Sequence, residues 1–194
     1  VIHRQSTLGQ AKSESAARAI ADLNPFVTVR QHTLRLEPEN ALALFAEYDL
    51  ILDGTDNFAT RYLVNDACVL AGKPYVWGSI YRFEGQVSVF APHLGGPCYR
   101  CLFPEPPAPE DAPNCAEAGV LGVLPGVIGL LQATEALKLI LGLGPSLSGR
   151  LLHFDALAMR FRETRLRHDP DCPVCAAGRP FPGYIDYAAF CRTA

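Results

Sequence analysis

Small and apolar positions recur at helical spacing at Ala16, Ala19, Ile20 and Leu23 within Gly9 to Leu23, and Asn24-Pro25 stops the pattern. That is the first predicted helix. Phe26 to Leu34 alternates Val27 and Val29 with polar neighbours as a half-buried strand does, and Glu37 to Tyr48 is again helical. The short apolar run Asp49-Leu50-Ile51-Leu52-Asp53 predicts a strand that leads through Gly54-Thr55-Asp56-Asn57 into a helix ending near Ala71. Tyr75 to Ile80 and Gln86 to Ala91 are two further strands, and the dense Pro and Gly from Pro92 to Pro113 mark a loop. Val123 to Leu141 is helical through Ile128, Leu131, Ala136, Leu137 and Ile140, with Gly142 as its stop. Leu151 to Phe154 and Met159 to Leu166 alternate like antiparallel strands, and the tail from Ala176 is a linker with one helical turn at Tyr187 to Cys191. No internal repeat is present. Alternating helices and strands predict an α/β sheet, whose ligands sit beyond the carboxyl ends of the strands.

Composition narrows the function class. With 194 residues, 49% hydrophobic and 19% charged, the chain suits one domain with a substantial core. Its 17 Lys+Arg against 20 Asp+Glu give a net charge of −3 and no polybasic stretch, so no nucleic-acid partner is expected. The longest apolar run, Ala118 to Leu131, holds Pro125 and four glycines and falls short of the roughly 20 residues of a membrane span. No membrane partner is expected either, and the expected location is cytoplasmic. The chain opens at Val1-Ile2-His3 with neither Met nor a signal peptide, as though cut from something longer.

Three places carry candidate chemistry. The segment Asp53-Gly54-Thr55-Asp56-Asn57, at a strand end before a helix, can hold a metal-bound phosphate, because carboxylates suit Mg²⁺ and helix N-termini supply N–H donors. The alternative is that Asp56 or Asn57 only caps the helix. Among seven cysteines, Cys98/Cys101 and Cys172/Cys175 form two Cys-x-x-Cys pairs, enough thiolates to close a tetrahedral, structural Zn²⁺ site. Redox or Fe–S chemistry competes with that reading, although neither pair opens a helix after a strand. Cys115 stands alone near a predicted helix start, where a thiol can be an accessible nucleophile or simply an inert small hydrophobe. Cys68, among Ala67, Val69 and Leu70 within a helix, fits the inert case. A Gly-rich phosphate loop after a strand is absent, which argues against a dehydrogenase.

Taken together, Gly9-Gln10-Ala11-Lys12, Asp53 to Asn57, Gly85-Gln86-Val87-Ser88-Val89-Phe90, Pro97-Cys98-Tyr99-Arg100-Cys101-Leu102, Cys115-Ala116-Glu117-Ala118-Gly119-Val120 and Cys172-Pro173-Val174-Cys175 resemble the MoeB/ThiF family, the bacterial relatives of ubiquitin-activating enzymes. The match is collinear from Val1 to Cys175 and most resembles the MoeZ-type adenylyltransferase/sulfurtransferase subgroup. The resemblance implies a Rossmann-like α/β fold, here without its first strand and glycine loop, with antiparallel C-terminal strands and a structural zinc site. Residues 1–177 would form the adenylyltransferase domain, and 178–194 would lead toward a rhodanese-like domain lying outside this chain.

It further implies a homodimer that uses ATP and Mg²⁺ to adenylylate the C-terminal glycine of a ubiquitin-like sulfur carrier ending in Gly-Gly. A rhodanese domain or cysteine desulfurase would then donate sulfur in molybdopterin, thiamine or related pathways. By position, Lys12 would contact ATP phosphates, Asp56 would hold Mg²⁺ as a catalytic and cofactor-binding residue, and Asn57 would lie beside the nucleotide. Cys98, Cys101, Cys172 and Cys175 would bind zinc, and Cys115 would be the catalytic thiol that in some members links covalently to the carrier. Lacking the first strand, its glycine loop, the ribose Asp and a phosphate arginine, the 194 residues alone are expected to be inactive. The rival expectation is a non-catalytic, zinc-stapled dimerisation or carrier-docking module.

Overall fold

The computed structural model describes residues 2–107 and 119–191. The chain divides into two compact units, Val1–Leu36 and Glu37–Ala194. In the first, a 3-10 turn at Gln5–Thr7 precedes helix α1, Lys12–Leu23, whose Ser15 hydroxyl lies 3.0 Å from His3 Nδ1. The predicted strand at Phe26 to Leu34 does not form. Phe26 is 93% exposed, and no strand pairs with the segment among the described residues, so its backbone has no ladder to join.

The second unit is built on one five-stranded sheet in the order β1-β2-β3-β4-β5. Its strands are β1 Ile51–Asp53, β2 Tyr75–Tyr81, β3 Glu84–Phe90, β4 Arg150–Asp155 and β5 Arg160–Arg165. Only β1–β2 is a parallel pair; the remaining three pairs are antiparallel. The sheet is therefore mixed, and the crossover joining its parallel pair is helix α3, Phe58–Ala71, which ends on Gly72 in the left-handed region. Helix α2, Pro38–Ala46, packs beside α3. Two short helices complete the unit. Helix α4, Tyr99–Leu102, lies inside the segment expected to be loop, while α6, Tyr187–Phe190, is the anticipated turn of the tail and packs on α3.

Helix α5, Leu124–Leu141, covers β2 and β3. Val76, Val87, Val89, Leu124, Ile128 and Phe154 form the apolar core between helix and sheet. Close approach needs glycine on the strands: a Cβ on Gly85 would lie 2.3 Å from Ile128 Cδ1, and one on Gly78 would lie 2.5 Å from Gln132 Cδ. Gln132 is buried and donates Nε2 to the carbonyls of Asp53 at 2.7 Å and Val76 at 3.3 Å. It thereby satisfies acceptors at the point where the β1–β2 ladder ends. By length and composition α5 could cross a membrane. Its buried Gln132 and Glu135, the latter accepting from Leu147 N at 2.7 Å, are instead partners of the sheet and the loop that follows.

Gly85→Ala tests this packing. The added methyl must displace Ile128 or the helix backbone, so denaturant unfolding should show a loss of about 1–3 kcal/mol.

Candidate functional site

The second unit carries two constructions, and α3 runs between them. The first lies beyond the end of β1. Asp53 is buried, accepting the Tyr75 hydroxyl at 2.6 Å and the Thr55 backbone N–H at 2.7 Å. These contacts turn the chain outward, so that Gly54, Thr55 and Asp56 rim a cavity of about 370 Å³ closed by β2 and α5, with Gly78 and Gln132 on its wall. Burial and the Asp53 carboxylate push the Tyr75 phenol well above its ordinary range, which keeps it a hydrogen-bond donor at all working pH.

Asn57 is the N-cap of α3, its Oδ1 accepting from Thr60 N at 2.8 Å. The capping alternative therefore holds for Asn57, and only its amide NH₂ remains to face a ligand. Asp56 caps nothing. It is exposed on the cavity rim, without a hydrogen-bond partner among the described residues. One free carboxylate beside a cavity fits Mg²⁺, which takes one or two protein carboxylates and completes its shell with phosphate and water. Arg61, buried one turn into α3, lines the same cavity and escaped the sequence reading. Lys12 opens α1 in the first unit and is exposed there. Cys115 lies outside the described residues.

The second construction brings together all four cysteines of the two pairs. Their sulfurs lie within 4.8 Å of one another, with Cys98–Cys172 at 3.6 Å, Cys98–Cys101 at 3.9 Å and Cys101–Cys175 at 3.4 Å. Four thiolates about 2.3 Å from one tetrahedral ion stand roughly 3.8 Å apart, so the cluster could hold zinc with little rearrangement. Hydrogen bonds among the sulfurs shift the thiols in opposite directions. Contacts led by Cys101 push Cys98 and Cys175 up and pull Cys172 down; Cys101 feels an upward push from Cys172, but Cys175 and Cys98 outweigh it and hold it at about 6. His168 Nε2 stands 3.4 Å from the Cys175 sulfur and 3.2 Å from its carbonyl oxygen, an outer partner that orients this ligand. Cys68, in contrast, is buried, and desolvation with the Asp53 carboxylate pushes its thiol far up.

What fastens this cluster to the fold is the middle of α3. Cys98 caps α4, and the next N–H, on Tyr99, donates to Asn65 Oδ1 at 2.7 Å. Arg100 then grips Asp66 through Nε and Nη2, both at 2.9 Å, while Asn65 Nδ2 and the Tyr187 hydroxyl add bonds of 2.9 Å to the same carboxylate. Tyr62 and Phe190 flank the guanidinium at 4.8 and 5.1 Å. Sequence reading missed this network. Its trace is the polar pair Asn65-Asp66, set within the otherwise apolar run from Tyr62 to Ala71.

The fold sets a cavity at the end of β1 beside a knuckle of four clustered cysteines. The ThiF family pattern matches residues 1–174, and the chain belongs to that family. It is 55% identical over 98% of its length to the probable adenylyltransferase/sulfurtransferase MoeZ of Mycobacterium tuberculosis, covering 48% of that protein. It is 52% identical to the sulfur carrier protein adenylyltransferase of Thermus thermophilus, covering 98% of this chain and 72% of that one. The SAMP-activating enzyme E1 of Haloferax volcanii is 50% identical over 92% of this chain and 65% of its own length. The chain thus spans about half the length of its MoeZ relatives. In fold it resembles E. coli MccB solved with ATP, with a TM-score of 0.75 at 19% identity over 90% of this chain and 54% of that one.

Two outcomes follow for the knuckle. Purified protein should hold about one zinc per chain, and chelation should lower its melting temperature, whereas zinc-free protein of unchanged stability would exclude a structural ion. Removing Asp66 leaves Arg100 buried and unpaired, so Asp66→Ala should cost about 3–5 kcal/mol in denaturant unfolding.

Proposed function

We propose that this domain adenylylates the C-terminal glycine of a ubiquitin-like sulfur carrier ending in Gly-Gly. The observation that carries the reading is the unpartnered Asp56 carboxylate on the rim of a cavity at the end of β1, in a ThiF-family chain. The carrier carboxylate attacks the α-phosphorus of ATP, a new P–O bond forms, and the bond to the β-phosphate breaks with its electron pair leaving on pyrophosphate. No protein nucleophile is needed. Asp56 anchors Mg²⁺, which offsets charge on the triphosphate, and the Asn57 amide and the Lys12 ammonium bind the nucleotide. The resulting acyl-adenylate is the substrate for a later sulfur transfer, to which Cys115 and a rhodanese domain or cysteine desulfurase belong.

The outer face of α5 supports a homodimer. Leu130, Leu137, Ile140 and Leu141 are all exposed there, Leu130 at 72%, and an apolar stripe of this kind is what a protein–protein contact covers.

Asp56→Ala in the intact protein should abolish carrier-dependent ATP–pyrophosphate exchange while leaving the melting temperature unchanged, since the side chain makes no contact among the described residues. Near-normal exchange by the variant would assign the metal to another residue, whereas no exchange by the wild type would leave the domain a docking module. Cys115→Ala should keep exchange at the wild-type rate, because attack on the α-phosphorus uses no thiol; a folded variant without exchange would contradict that division of labour.

A further inference from the structure

Among the described residues, two arginines are buried in the second unit, and they are treated differently. Arg100 meets Asp66 through two bonds of 2.9 Å. Arg61 is 7% exposed, yet no carboxylate among the described residues lies within 4.0 Å of it. Its Nη2 donates to the Thr55 carbonyl at 3.1 Å, and its guanidinium carbon sits 5.5 and 6.0 Å from the ring centres of Phe58 and Trp77. Its Nε is fully buried without a partner, as is the Thr55 hydroxyl beside it. The carboxylate at the same strand end, Asp53, has already given its oxygens to Thr55 N and Tyr75.

A buried guanidinium with an orphaned N–H is costly, and proteins keep such a group where something outside the apo fold completes it. Here it borders the cavity that Asp56 rims. We propose that Arg61 is an oxyanion-contacting residue of this cavity, its positive charge and free N–H meeting either a phosphoryl oxygen of ATP or the carrier carboxylate that attacks it. The inference rests on the adenylylation reading and deepens it. When the carboxylate approaches the α-phosphate, two anions must come within bonding distance. A fixed cation in a site walled by Gly78, Ile128 and Gln132 lowers that repulsion without itself exchanging a proton, because guanidinium stays charged throughout.

The experiment uses the intact protein that contains this chain and compares wild type with Arg61→Met, which keeps the apolar stem over Trp77 and removes the charge. Three quantities are read: apo melting temperature, the melting shift produced by ATP or inorganic pyrophosphate, and exchange kinetics with ATP and carrier varied separately. The variant should melt at or above the wild-type temperature, since it sheds an unpaired buried charge. ATP affinity or the carrier KM should worsen by about tenfold to a hundredfold, the usual worth of a hydrogen bond to a charged group.

A defect confined to ATP and the pyrophosphate shift assigns Arg61 to phosphate, and one confined to carrier KM assigns it to the carboxylate. An apo variant that melts many degrees lower makes Arg61 a structural cation and overturns the proposal. So does a stable variant with unchanged shifts and kinetics. If wild type shows no carrier-dependent exchange, the adenylylation reading fails, and Arg61 is still judged by whether Arg61→Met loses the pyrophosphate-induced shift; a wild type that shows neither exchange nor shift overturns both.

Discussion

One buried carboxylate holds together parts of the chain that share no β-ladder. Asp66, in the middle of α3, accepts Arg100 from the cysteine knuckle, Asn65 from its own helix and Tyr187 from the tail. A charge pair taken out of water gains little over a well-packed apolar substitute, but losing one member is expensive, so such a pair enforces a particular arrangement more than it adds stability. Here the arrangement is the seating of α4 and α6 on α3, and with it the position from which Cys98 and Cys101 meet Cys172 and Cys175.

The same helix ties the knuckle to the cavity. Asn57 caps it, Arg61 stands one turn in, and Asn65 and Asp66 follow a turn later, so a single rigid rod carries both cavity-lining and knuckle-holding groups. Gln132 fixes the opposite wall from α5. Division between a structural knuckle and a ligand-accessible cavity follows from chemistry as well as place: four thiolates fill every position of a tetrahedral ion, whereas a lone exposed carboxylate leaves most of a metal's shell to the substrate.

Much of this was legible in the amino-acid sequence, and the exceptions are instructive. Strands β2 to β5 and helices α2, α3 and α5 follow hydrophobic periodicity, and the cysteine pairs announce themselves by spacing. The segment Phe26 to Leu34 alternates correctly yet stays irregular, because alternation describes what a strand needs from its faces and says nothing of whether a neighbour is there to pair with it. Asp66 and Gln132 escaped for a related reason. A polar side chain inside an apolar helix declares only that it has a partner, and those partners lie in segments up to 121 residues away.

The most direct measurement of the central claim is a crystal structure of the intact protein with Mg²⁺ and a non-hydrolysable ATP analogue. The α-phosphate is expected in the cavity between Gly54 and Gln132, with Asp56 at the metal shell and the cysteine knuckle away from the nucleotide. A nucleotide bound elsewhere, with this cavity left to solvent, would contradict it.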